Sequence, residues 1–237
     1  MSNIKKFVKI IKYVVENFLM FFIISFPGPT GRKLRYFYYR GKFKRCGKNV
    51  MIDEGVIIQN PDWISVGDAV WIDKYVILQA GKFNMDVGIL KKRKNTNFNG
   101  TMGELIIGNN VHIGAFNILQ AQGGLYVGNN VTTSSGVKMY SFSNYFCNEY
   151  DLTMITHASC MAEDINKVSY IVSPIVIENN VWIALDCLVL GGTIGKNSFI
   201  SSKSLVLYNI SENSYASGNP AKRIRERFEN GGHAESW

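Results

Sequence analysis

Aliphatic residues recur every six positions across 177–206: Ile177, Ile183 and Val189, then Ile194, Ile200 and Val206. Four places after most of them stands a small or aliphatic residue, Val181, Cys187, Ser198 or Ser204, and Gly, Asn, Asp and Glu fill much of the remainder. An amphipathic helix places apolar residues at spacings of three and four, and a half-buried strand alternates strictly; a sustained period of six matches neither. It matches a chain that turns a corner every six residues. The same spacing runs through Val66, Ile72 and Leu78, through Ile107, Ile113 and Leu119, and through Val127, Thr133 and Met139, with Val50 and Val56 as a worn first copy.

Hexapeptide repeats predict an all-β solenoid, a parallel β-helix in which three six-residue sides make one triangular coil and stacking buries the aliphatics of every coil. Gly and Asn dominate the corners because they tolerate positive φ at low steric cost. The predicted coils occupy 47–210, interrupted by loops at 79–104 and 140–174. The step from Val189 to Ile194 is five residues, which implies a deletion at one corner. Residues 211–237 form an extension whose last fourteen polar residues are predicted as a short helix with a frayed tail. A loop as long as 140–174 inside a regular solenoid points to function.

The first 46 residues predict two helices separated by Pro27 and Gly28. Lys5, Lys6, Lys9, Lys12 and Glu16 interrupt the first apolar run, leaving it short of the roughly 20 residues a membrane span needs. No small-residue cleavage site follows, against a cleaved signal peptide. Two readings are compatible: the helices cover the open end of the solenoid, or they also lie on an anionic membrane surface. The formal charge of +8 and pI near 9.2 favour anionic partners, and no nucleic-acid module accompanies it. The run Lys91 to Lys94 is either solvated or an anion contact. Cys46, Cys147, Cys160 and Cys187 lack metal spacing, so a reduced cytoplasmic protein, peripheral at the inner membrane face if the helices bind lipid, is expected.

With its repeats, its long loop and the run Gly218-Asn219-Pro220-Ala221-Lys222-Arg223, the chain resembles the hexapeptide-repeat acyltransferases with a left-handed parallel β-helix. The resemblance covers roughly 47 to 227. Pro27, Gly28, Pro29 and Gly31 with Leu34, followed by Cys46 to Val50, look like the subset that O-acetylates sugars of surface polysaccharides. The resemblance implies a homotrimer using acetyl-CoA, a sugar or glycan acceptor, no metal, and an active site between subunits. It implies that Trp182, Ala184, Ser202 and Lys203 flank the pantetheine, while Gly218, Lys222 and Arg223 approach the nucleotide end, where cations suit phosphates.

The family's catalytic histidine lies in a segment matching Ser141-Phe142-Ser143-Asn144-Tyr145-Phe146, and its position here is Tyr145. A general base for a sugar hydroxyl works best near neutrality, where histidine titrates and tyrosine, at about 10, does not. Of the three histidines, His233 lies in the tail and His112 at an outward repeat position. His157, in the long loop, is the remaining candidate base, assisted by Asn144 or Tyr145; otherwise it is a solvated loop residue. Two other classes stay open: a retired acyltransferase that binds without turnover, and an N-acetyltransferase on an amino sugar. A zinc carbonic anhydrase on this solenoid needs three converging imidazoles, a spacing the three histidines lack.

Overall fold

The computed structural model describes residues 2–83, 89–92, 97–146 and 168–228. The period of six resolves into three sheets that the chain visits in turn. The first face stacks Arg45–Cys46, Ile64–Val66, Leu105–Ile107, Leu125–Val127, Ile175–Ile177 and Gly192–Ile194. The second stacks Met51–Ile52, Trp71–Ile72, His112–Ile113, Thr132–Thr133, Trp182–Ile183, Phe199–Ile200 and Ser214–Gly218; the third stacks Ile57–Gln59, Ile77–Gln79, Ile118–Gln120, Lys138–Tyr140, Leu188–Val189 and Leu205–Val206. Within each face, successive coils pair in parallel.

Side chains on the strands alternate, so one residue per face points to the axis. Ile72, Leu78, Ile107, Ile113, Ile177, Ile183, Val189, Ile194, Ile200 and Val206 are among those fully buried there. At about 1.5–3 kcal/mol for each buried aliphatic side chain, this axial stack is the main favourable term of the fold. Thr133 is the polar exception: its hydroxyl accepts from Asn117 Nδ2 at 2.6 Å, and Asn117 Oδ1 accepts from the Val137 amide at 2.7 Å, so the buried polar pair is satisfied.

One corner explains the asparagines of the repeat. Asn110, Asn130, Asn180, Asn197 and Asn213 all have φ between 53° and 61°, and each amide donates to the next at 2.9–3.2 Å. The five-residue step is accommodated by Gly191 and Gly192, both at positive φ. They shorten the turn so that Ile177 still lies over Ile194.

The chain stays in register past Val206. Ser214–Gly218 adds a strand to the second face with Ala216 buried, then Ala221–Glu226 folds back on it antiparallel. The short C-terminal helix expected from the polar tail is therefore absent as far as residue 228, and the rest of the tail lies outside the described residues. Arg225 and Glu226 are good helix formers, but strand pairing overrides that propensity, and the Arg225 guanidinium stacks 4.8 Å from the Tyr215 ring.

At the other end, helices α1 (Ser2–Ser25) and α2 (Gly28–Arg40) precede the first coil. Tyr39 of α2 and Phe43 join the axial core beside Val50 and Ile52. Arg35, fully buried, donates through Nε to Ile52 O at 2.7 Å and through Nη1 to Ile23 O and Phe26 O at 2.9 and 2.7 Å. It thereby satisfies carbonyls at the C-terminal end of α1, which have no partner within the helix.

The two interruptions of the repeat meet. Ile89–Lys92, from 79–104, pairs in parallel with Ser169–Val172, from 140–174, which pairs antiparallel with Phe142–Asn144. Phe142, Val168, Tyr170 and Val172 form a second small core with Phe83 and Met102.

Candidate functional site

This small sheet stands at the end of the third face and opens a cleft of about 220 Å³ lined by the segment 140–146 with Ile171, Ser173 and Leu190. The backbone holds the segment firmly at its base. Ser141 Oγ donates to Gln120 O at 2.7 Å and accepts from the Gly123 amide at 2.9 Å, Gln120 Oε1 accepts from the Phe142 amide at 3.0 Å, and the Ser173 amide donates to Ser141 O at 2.8 Å. Asn144 and Tyr145 project past this base, Asn144 exposed and Tyr145 half-buried against Phe146. Ser173 was not among the residues expected to matter. Its side chain is buried, its hydroxyl has no hydrogen-bond partner among the described residues, and it lines the cleft. The position just before Pro174, where the chain re-enters the coil, was its sequence signal.

The cofactor residues expected from the resemblance gather elsewhere. Trp182 points outward from the second face, 45% exposed, and its Nε1 donates to Ser134 Oγ at 3.1 Å. Ala184, Ser202 and Lys203 follow at the corner between the second and third faces, where the Lys203 amide donates to Leu185 O at 2.8 Å. Lys203 holds φ 59° and its side chain is free of the coil. Gly218 continues this corner, its amide donating to Ser204 Oγ at 3.2 Å. Lys222 and Arg223 are exposed on the returning strand, Arg223 paired with Glu226 at 2.7 Å. The sequence-expected residues thus form two groups on opposite edges of the third face. Leu190 of the cleft lies beyond Ala184 of the corner by the one strand Leu188–Val189.

His112 belongs to neither group. Its ring stacks on Trp71, centroids 4.5 Å apart, and Nε2 faces Asp73 Oδ2 at 3.6 Å. Trp71 Nε1 donates to Asp53 Oδ2 at 2.9 Å, and Asp53 also pairs with Arg32 of α2. Burial alone would raise the Asp53 pKa, but the hydrogen bonds from Arg32 and Trp71 with the Arg32 charge outweigh it, leaving the carboxyl below its ordinary value. This network ties the second face to α2 through Asp53. His157 and His233 lie outside the described residues. Among the described residues no cluster of His, Cys, Asp and Glu is arranged to hold a metal.

No family model matches the chain. Among solved structures, it superposes on a variant of AntD, an N-acyltransferase from Bacillus cereus in complex with dTDP and coenzyme A, with a TM-score of 0.63 and 21% identity over 86% of this chain and 92% of that one. It also superposes on a hexapeptide-repeat-containing acetyltransferase from Vibrio cholerae complexed with acetyl-CoA, with a TM-score of 0.51 and 19% identity over 90% and 85%. The chain shares their hexapeptide-repeat fold. A maltose O-acetyltransferase from Clostridium difficile has it too, with a TM-score of 0.52 and 19% identity over 87% and 82%.

By sequence, this hexapeptide-repeat chain is 31% identical over 121 residues to a candidate acetyltransferase of Saccharomyces cerevisiae, 50% of this chain and 57% of that protein. It is 43% identical over 54 residues to a chloramphenicol acetyltransferase of Klebsiella aerogenes, 22% and 26% respectively. The chain therefore spans between a quarter and just over half of these relatives.

Proposed function

We propose that the protein is an acetyl-CoA-dependent acyltransferase that acetylates a sugar hydroxyl in surface polysaccharide biosynthesis. The observation that carries this reading is the corner at which Ala184, Ser202, Lys203 and Gly218 stack, flanked by Trp182 and followed by the cationic strand with Lys222 and Arg223. An indole and small residues that leave the corner open suit a narrow arm, and lysine and arginine suit its phosphates. The cleft at Asn144, Tyr145 and Ser173 is the acceptor side.

The two groups lie a full strand apart in one chain. A homotrimer with left-handed coils, in which the corner of one subunit faces the cleft of its neighbour, closes that separation and places the active site between subunits. His157 takes the proton of the acceptor hydroxyl as its oxygen attacks the thioester carbonyl. The C–O bond forms, the C–S bond breaks, and the proton passes to the departing thiolate. Asn144 and Tyr145 orient the acceptor by hydrogen bonding, and a corner N–H stabilises the oxyanion.

A second reading is N-acylation of an amino sugar, favoured by the superposition on AntD, one structure of which is a complex with dTDP-4-amino-4,6-dideoxyglucose and coenzyme A. The cofactor half would be unchanged.

Thioester cleavage of acetyl-CoA with a panel of neutral and amino sugars, alongside calorimetric binding of acetyl-CoA, tests the reading. Turnover that falls by orders of magnitude in His157→Ala but not in Tyr145→Phe supports it. Failure to bind acetyl-CoA overturns it, and binding without turnover on any acceptor leaves a retired enzyme.

A further inference from the structure

Helix α1 exposes more apolar surface than any other element among the described residues. From Phe7 to Phe22, ten large apolar side chains are each between 48% and 66% exposed. At 100° per residue, Phe7, Ile11, Val14, Phe18 and Phe22 run down the middle of one arc that covers about half the helix circumference. Lys6, Lys9 and Glu16 fall in the opposite arc. Towards the C-terminal end that opposite arc carries Met20, Ile23 and Ile24, and these are the residues packed towards the domain, Met20 against the axial core and the two isoleucines half-buried. The apolar arc therefore faces away from the coils.

The helix is fixed at that end. Arg35 holds the Ile23 and Phe26 carbonyls, and the Gly55 amide donates to Ile24 O at 3.0 Å. An apolar stripe roughly 22 Å long, at 1.5 Å per residue, is thus presented in a set orientation. Contiguous exposed patches of this size mark interaction sites.

Charge decides the occupant. The first turn of α1 contains no acidic residue, and the outward side of α2, opposite its buried Gly31, Arg35 and Tyr39, carries Lys33, Arg40 and an exposed Phe37. A second copy would add the same cation-rich helices and no complementary acidic surface, whereas an anionic bilayer complements them. No helix among the described residues is long and apolar enough to cross a membrane.

We propose that α1 lies in the interface of an anionic lipid bilayer, its apolar arc among the acyl chains and its lysines at the headgroups. This is the geometry of an in-plane amphipathic anchor. It does not rest on the acyl-transfer reading.

Co-sedimentation of the full-length protein with vesicles of phosphatidylcholine, alone or mixed with phosphatidylglycerol, tests it. The protein is expected to pellet with the mixed vesicles and more weakly with the neutral ones, the difference shrinking in high salt. Val14→Asp with Phe18→Asp should lower partitioning more than about tenfold, and Lys6→Glu with Lys9→Glu should abolish the preference for anionic vesicles. Unchanged thermal melts establish that both variants are folded. The proposal is overturned if the native protein stays in solution with both vesicles, or if the aspartate variant binds as well as the native chain. It is equally overturned if sedimentation velocity shows self-association that the aspartate variant abolishes, without vesicle binding.

Discussion

Gly191 and Ser173 stand so close that a Cβ on the glycine would overlap the serine Oγ. Gly191 also sits at φ 140°, in a region side chains avoid. Two demands, one steric and one conformational, fall on the residue that shortens the corner after Val189. Gly191→Ala is expected to cost about 2 kcal/mol or more, seen as a lower midpoint in urea unfolding with an unchanged slope.

Ser173→Ala separates stability from activity. The hydroxyl is buried without a partner among the described residues, and removing an unsatisfied buried group is neutral or stabilising by about 1 kcal/mol. If the cleft receives the acceptor, the same change lowers kcat/KM about tenfold for want of one hydrogen bond. A raised Tm with reduced turnover is the expected pair of results; a lowered Tm would mean that Ser173 is bonded in solution.

Asp53 sets an acid limit on the contact between α2 and the coils. Its folded pKa lies below its ordinary value of 3.8, so its contribution to stability is full above that value and is lost as pH falls through the depressed one. Asp53→Asn should therefore cost about 1–2 kcal/mol near neutrality, Arg32 being partly exposed. The two proteins should draw together as pH falls below 3.8 and converge below the depressed pKa. Thermal melts of both from pH 2 to pH 7 check the sign.

Arg35 anchors α1 more than it stabilises the coils. Replacing it by Met leaves the carbonyls of Ile23, Phe26 and Ile52 without their donor, at a cost of about 3 kcal/mol. The loss should be local, so limited proteolysis is expected to release α1 from Arg35→Met while the coils resist.

Lys203→Glu and Trp182→Ala test the corner directly. Both side chains are exposed, so neither should move Tm by more than about 0.5 kcal/mol in equivalent stability. Under the acyltransferase reading each weakens acetyl-CoA binding by about tenfold in calorimetry, the glutamate by charge and the alanine by lost packing.

The three-sided core was legible because its signal is periodic and redundant: Ile183 repeats what Ile72, Ile113 and Ile200 say, and the asparagines mark corners that need positive φ. The expectation that Ala184 and Ser202 lie near a cofactor comes from the family resemblance, not from the period; the repeats fix only that both stand at one corner of the coil. What could not be read depends on pairing between distant segments. Nothing local in Ile89–Lys92 announces Ser169–Val172 as its partner, and two apparent loops are one sheet. Arg225 and Glu226 favour a helix in isolation and form a strand because Tyr215 lies opposite. Ser173 escaped notice because an unpaired hydroxyl is a property of its surroundings, not of its sequence.

The pairing of Ile89–Lys92 with Ser169–Val172 also orders events during synthesis. A chain made from its N-terminus can stack its early coils while they emerge, since each lies on the one before. The strand at 89–92 cannot be completed until residue 172 has left the ribosome, roughly 4–16 s later at about 5–20 residues per second. Through that interval it is an open edge for other chains to find, and the cleft does not yet exist.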